Sequence, residues 1–494
     1  MGTRLLIIGI DALDSRQIAK YRDVLPTLSR LTRNCPKIVL RSIVPPDSDT
    51  AWASIYTGWN PARHGLVGFL DPLEKSARHA AADAPNQILR GNTFWDVASR
   101  AGKRVCVLLP HLGYPAWPVN GVMIGRSALR DDVDARPRSD FDARVLESLN
   151  VVKGMPGRNK ESYIRKNKQL FGAQSDFAAD LLVRGDWDLF FVYSSVLDMI
   201  QHYFWDLCDE KDPSYPGGNP FRGTIRDFYV LHDRMVADLL SRVEPGTAVF
   251  VLSDHGHAMR PARLFNANEF LRRRGWLAVK GKPGGRGAPF LMDRTKNAAL
   301  EVMGKYGLGN AAAALLRWAP WIRNLYTRPS SIDWTNTVAY ATNLSGVKAY
   351  SYNGIGIVRG NLGAKSYEEV RDSILRELAE VTDPETGEKI VRRMRRREEV
   401  YAGPFLSKFP DVLLELDEGL GAGMTPDGSL FGHNFSHSIV PGSHSGEGAV
   451  FLIHQPPFPV GRGEADLVDV APTVLDALGV ECPAGLDGAT VFRR

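Results

Sequence analysis

Acids and histidines stand along this chain at spacings suited to metal-assisted chemistry. Asp198 and His202 are four residues apart in Leu-Asp-Met-Ile-Gln-His, so on a helix both project from one face and can share one cation. Asp254 and His255 follow a β-branched apolar run, and Asp11 ends another. His444 lies in Gly442-Ser-His-Ser-Gly-Glu-Gly448, read as a small-residue loop that lets backbone approach a site closely. Together they form mixed oxygen and nitrogen donor sets, although any one of these histidines alone is by default a hydrogen-bonded structural residue.

The segment from Val44 to Phe69 contains Pro45-Pro-Asp-Ser-Asp-Thr-Ala-Trp52 and reads as a loop feeding a short helix that begins near Ser48 and closes at Gly58. Ser48 then sits at a helix N-terminus, where outward-facing N–H groups favour an anion such as phosphate. A serine at such a place is otherwise a plain N-cap.

The elements that must position these residues are short apolar runs at Leu5 to Ile10, Val105 to Leu109, Leu189 to Tyr193, Ala248 to Leu252 and Ala449 to Ile453. Most are separated by lengths that fit helices. The alternation predicts an α/β fold with a doubly wound, mostly parallel sheet and helices on both faces. In such sheets ligands sit at the carboxyl ends of strands, so Asp11, the stretch from Ser194 to Asp198, and Asp254 with His255 can converge on one crevice. Strand patterns return near Trp334 to Val358, and a helix is expected over Tyr367 to Val381.

With 494 residues, 44% hydrophobic and 24% charged, the composition is that of a globular protein and excludes disorder, collagen and coiled coil. Residues 261–331 read as an inserted cap or lid on a core of residues 1–260 and 332–494. The net charge of +5 is mild for this length and calls for no stable nucleic-acid binding. The basic run Arg392, Arg393, Arg395, Arg396 and Arg397, followed by Glu398 and Glu399, reads as a solvated, partly self-paired surface. Cys35, Cys106, Cys208 and Cys482 form no C-x-x-C pair, so neither a disulfide framework nor a thiolate zinc site is indicated, and a cytoplasmic location is expected. No run is long enough for a membrane span. The segment from Asn310 to Arg328 is expected to pack on the core, with a peripheral membrane contact as the lesser alternative.

Taken in order, the motifs resemble the alkaline phosphatase superfamily, and within it the type I phosphodiesterase and nucleotide pyrophosphatase branch. They are an early Asp, the block P-x-x-S-x-x-x-W-x-S-x-x-T-G-x-x-P-x-x-H-G, then D-x-x-x-H, S-D-H-G and a late G-x-H. The resemblance runs from Asp11 to the segment from Asp469 to Gly479, apart from the insertion. It implies that Asp198, His202 and His444 hold one divalent cation, that Asp11, Asp254 and His255 hold another, and that Ser48 contacts both and attacks phosphorus. Thr50 is the lesser candidate for the nucleophile. Without thiolates the donors suit Zn²⁺, with Mn²⁺ as a substitute.

The function expected from this likeness is a two-metal phosphohydrolase that cleaves a phosphodiester through a covalent phospho-serine. The substrate class is a small phosphate ester, nucleotide or lipid-like. Two positions depart from the nucleotide pyrophosphatases, which carry Thr where Ser48 stands and an Asn that grips the phosphoryl oxygen where Phe69 stands; this weighs against a nucleotide. The alternatives are a phosphate or phosphonate monoester hydrolase, which needs an Arg-like grip for the extra charge, and a metal-binding pseudoenzyme that works through a partner. The C/S-x-P-x-R pattern of sulfatases is absent. His64 is expected to be structural, and His257 to be solvent-exposed or to reach substrate.

Overall fold

Six consecutive apolar residues, Leu5–Ile10, form a strand buried along its whole length, as expected for the centre of a sheet covered on both faces. The structure is a computed structural model describing residues 4–70, 84–127, 132–152, 154–157, 159–281, 331–344, 350–426 and 428–493. Leu5–Ile10 pairs in parallel with Leu189–Ser194 on one side and Ala248–Leu252 on the other, with Ile7 level with Phe191 and Phe250. The seven-stranded sheet runs in the order Phe451–His454, Ala248–Leu252, Leu5–Ile10, Leu189–Ser194, Val105–Leu108, Gly121–Arg126, Val133–Arg136. Only the two outermost strands are antiparallel to their neighbours.

The two-residue period of a strand divides the core. Leu6, Ile8 and Ile10 face helices that include Pro26–Asn34, Lys160–Arg184, Val196–Cys208 and Thr224–Arg242. Leu5 and Ile7 face Ser48–Thr57, Phe94–Arg100 and Val470–Ala477. The fold is thus the doubly wound α/β arrangement that the apolar runs predict. Gly121–Arg126 and Val133–Arg136 are the strands of this sheet that those runs do not reveal.

A second sheet of five strands, in the order Val391–Arg396, Val412–Leu416, Tyr352–Ile357, Ala339–Leu344, Phe69–Leu70, packs with the helix Tyr367–Ala379 around its own apolar cluster. The segment read as an insertion, 261–331, is described only at 261–281 and 331. There the strand Arg263–Asn266 and the helix Ala267–Arg273 contribute Phe265, Phe270 and Leu271 to that same cluster. The amphipathic stretch 310–328 lies outside the described residues. The basic run is partly self-paired, Arg396 with Glu399 and Arg397 with Glu398, and its other partners come from other elements: Arg392 with Glu418, Arg393 with Glu415 and Arg396 with Asp372. All four cysteines are free, and no helix among the described residues is long and apolar enough to cross a membrane.

Candidate metal centre

The parallel register delivers the predicted residues to one edge of the large sheet. Asp11 follows Leu5–Ile10, and Asp254 and His255 follow Ala248–Leu252. The helix Val196–Cys208, entered from the strand Leu189–Ser194, places Asp198 and His202 one turn apart. His444 arrives from far along the chain, and not on a loop as its small neighbours suggest. It lies in the strand Gly442–Ser445, which pairs antiparallel with Gly256–Met259 and sets His444 level with His257. The small residues serve the pairing: a Cβ on Gly442 would meet the Gln201 carbonyl at 2.2 Å.

These side chains form two adjoining buried groups. Around His255 Nε2 lie Asp254 Oδ2 at 3.2 Å, Asp11 Oδ1 at 3.6 Å and Ser48 Oγ at 3.1 Å. Around Asp198 Oδ1 lie the Nε2 atoms of His202 at 3.4 Å, His444 at 3.5 Å and His257 at 3.8 Å. The rings of His255 and His444 stack at 3.8 Å and join the two halves. Of the two expectations for His257, solvent exposure does not hold: the residue is fully buried, with its ring stacked on Trp205 at 5.3 Å.

The residues fit divalent cations. Oδ1 of Asp11 and Oδ2 of Asp254 are buried and make no hydrogen bond, which is costly unless a cation completes them. Burial, reinforced by the charges of Asp11 and Asp198, pushes the Asp254 carboxyl well above the usual carboxylate range. Asp198 with His202 and His257, and Asp11 with Asp254 and His255, each bring three ligand atoms within 4.8 Å of one another.

Backbone carbonyls orient the imidazoles. Nδ1 of His202 donates to Gly442 O at 3.1 Å, Nδ1 of His444 to Pro46 O at 2.7 Å and Nδ1 of His255 to Gly256 O at 2.9 Å. A carbonyl only accepts, so each proton is held on Nδ1 and each Nε2 lone pair turns into the centre. Buried Arg260 also donates to Gly442 O, at 2.8 Å, and so fixes the carbonyl that fixes His202. The outer oxygen of Asp11, Oδ2, accepts from Trp52 Nε1 at 3.2 Å and from the Tyr193 hydroxyl.

Ser48 is the first residue of the helix Ser48–Thr57, which ends at Gly58 in the left-handed region at φ 67°. The cap is Asp47, whose carboxylate accepts from the Thr50 N–H at 3.4 Å and from Thr50 Oγ1 at 3.2 Å. Capping therefore falls to Asp47 and Ser48 Oγ faces His255, while Thr50 is buried against its cap. Asp49, an awkward neighbour for a phosphate, bonds through Oδ1 to His111 Nε2 at 2.8 Å. Burial opposes protonation of His111, but the hydrogen bond and charge of Asp49 raise its pKa above the ordinary value. His64 bonds to Ser54 Oγ and accepts the Leu66 N–H, and Phe69 is buried against Phe409.

Two residues beside the centre escaped sequence reasoning. His111 follows the strand Val105–Leu108, and Arg126 ends Gly121–Arg126; both stand at the carboxyl edge that had singled out Asp11. Arg126 Nη2 donates to Ser195 Oγ at 2.6 Å and makes no ion pair among the described residues. Burial lowers its guanidinium pKa, against the raising influence of Tyr193 and Asp11. The signal for Arg126 was weak, since Gly121 and Gly125 flank an apolar stretch of only three residues.

A family model described as type I phosphodiesterase / nucleotide pyrophosphatase matches residues 5–428. Among solved structures, the chain is similar to a phosphonoacetate hydrolase from Sinorhizobium meliloti 1021 crystallised with phosphonoformate. The two are 16% identical, with a TM-score of 0.52 over 97% of this chain and 95% of that one, a likeness of fold. No curated protein matches the sequence.

Proposed function

We propose, since the chain belongs to the type I phosphodiesterase / nucleotide pyrophosphatase family, that this metal-dependent hydrolase of phosphate esters cleaves a phosphodiester through Ser48. The observation that carries the reading is Ser48 Oγ at 3.1 Å from His255 Nε2, beside the carboxylates of Asp11 and Asp254. Asp198, His202 and His444 are assigned to one divalent cation and Asp11, Asp254 and His255 to the other. Zn²⁺ is the ion favoured by the donors, and Mn²⁺ a substitute. Two cations bound there supply the positive charge that lowers the proton affinity of the serine hydroxyl and stabilises the attacking and leaving oxygens.

The chain's own part is to position. Ser48 Oγ forms a bond to phosphorus as the bond to the leaving oxygen breaks, and water then cleaves the phospho-serine. Asp49 stands in the first turn of Ser48–Thr57, at the helix end that favours a nonbridging oxygen. The substrate is a small phosphate ester.

Arg126 favours a second reading, a phosphate or phosphonate monoester, whose additional charge suits a guanidinium that has no ion pair among the described residues. The test compares bis-p-nitrophenyl phosphate with p-nitrophenyl phosphate on cation-loaded protein, beside Ser48→Ala and Arg126→Ala. Diester preference lost in Ser48→Ala supports the first reading; monoester preference lost in Arg126→Ala supports the second. Full turnover by Ser48→Ala overturns the nucleophile in both.

A further inference from the structure

The D-x-x-x-H, S-D-H-G and G-x-H motifs account for His202, His255 and His444, but a fourth buried imidazole belongs to none of them. His257 lies two residues beyond His255, in the strand Gly256–Met259 directly opposite His444. Its Nε2 is 3.8 Å from Asp198 Oδ1, close to the 3.4 Å and 3.5 Å of His202 and His444. The ring meets that of His202 edge-on at 4.8 Å between centroids.

The surroundings are built to hold it there. The His257 N–H donates to Asp14 Oδ2 at 2.9 Å, and its carbonyl accepts from Arg16 at 3.3 Å. Asp14 and Arg16 are themselves paired at 2.7 Å, so the backbone is clamped at both polar groups. The Trp205 indole covers one face of the ring at 5.3 Å. Gly442 leaves room for the ring, since a Cβ at that position would meet His257 Cε1 at 2.5 Å. An imidazole enclosed in this way can rotate little, and it lies beside the carboxylate shared by two other imidazoles.

We propose that His257 is a fourth protein donor to the cation held by Asp198, His202 and His444. Four protein donors fill a tetrahedral shell. An ion that also receives substrate must then expand to at least five ligands. The assignment stands on the divalent centre alone and does not depend on whether the substrate is a diester or a monoester.

The test uses the full chain loaded with Co²⁺ and reads the visible absorption, which strengthens as coordination number falls, alongside Co²⁺ and Zn²⁺ affinities by competition with a chelator. His257→Phe preserves the contact with Trp205 and removes the donor. The expected result is a stronger visible band and a loss of affinity of about ten- to a hundredfold at one of the two sites. A variant with the wild-type band and wild-type affinity at both sites overturns the proposal. His257→Gln, which keeps a polar side chain of similar reach, is read in the same way should the Phe variant fail to fold. These readouts require no turnover, so a mistaken substrate assignment leaves them intact.

Discussion

Ser48 Oγ and His255 Nε2 are 3.1 Å apart although 207 residues separate them in the chain, and the contact exists because Asp47, not Ser48, caps the helix. Ser48→Ala removes an oxygen without removing the cap. Turnover of the preferred nitrophenyl ester is expected to fall at least about a thousandfold, with cation content and melting temperature close to those of the wild type. A loss smaller than tenfold would exclude a covalent role for Ser48.

Tyr193 reaches Asp11 from the far side of the carboxylate. Its hydroxyl donates to Oδ2 while its ring packs edge-on against Trp52 at 5.0 Å, so Tyr193→Phe deletes the hydrogen bond and spares the packing. Cation affinity at the Asp11 site is expected to drop about ten- to a hundredfold. Chelator competition on the two proteins checks this, and equal affinities would show that Trp52 alone suffices to orient Asp11.

Three buried carboxylates, those of Asp11, Asp198 and Asp254, share one small volume, so removing divalent cations is expected to destabilise the fold. At a free cation concentration a thousandfold above its Kd, the bound ion contributes about 4 kcal/mol. Calorimetric melts with and without chelator at pH 7.5 should differ by several degrees, the loaded protein melting higher. Coincident melts would mean that the ligands are not assembled into a binding centre.

His232 supplies a pH dependence of stability. It is fully buried against Ser194 Oγ at 3.1 Å, and burial lowers its pKa to about 4. The unfolded chain, with a histidine pKa near 6.5, takes up the proton first. Stability is therefore full above about pH 6.5 and is lost as the pH falls towards 4, by up to about 3 kcal/mol. Denaturant unfolding at pH 7.5 and pH 5 should show a larger acid loss for the wild type than for His232→Gln. Equal losses would assign the acid sensitivity to other groups.

The parts of this molecule legible in its sequence are those written locally. Leu5–Ile10 and Ala248–Leu252 are uninterrupted apolar runs ended by acids, and Asp198 with His202 needs only the pitch of a helix to coincide. The burial of His257 was not legible because it comes from Trp205 on the helix Val196–Cys208 and from a glycine 185 positions later, neither of which marks residue 257 itself. Arg126 was missed because its strand holds only three consecutive apolar residues between Gly121 and Gly125, and its neighbourhood with Ser195 is created by the order of strands in the sheet. The same long-range pairing turned His444 from a loop residue into a strand residue.

The strand order has a consequence during synthesis. Asp11 is synthesised well before His444 and the edge strand Phe451–His454. A nascent chain can pair Leu5–Ile10 with Leu189–Ser194 and Ala248–Leu252 long before His444 emerges. Until then the acids and imidazoles already present lack His444, one of the residues proposed to hold a cation. Chains truncated upstream of Gly442 are thus expected to lack a closed centre, because the strand Gly442–Ser445 that carries His444 has not yet been made.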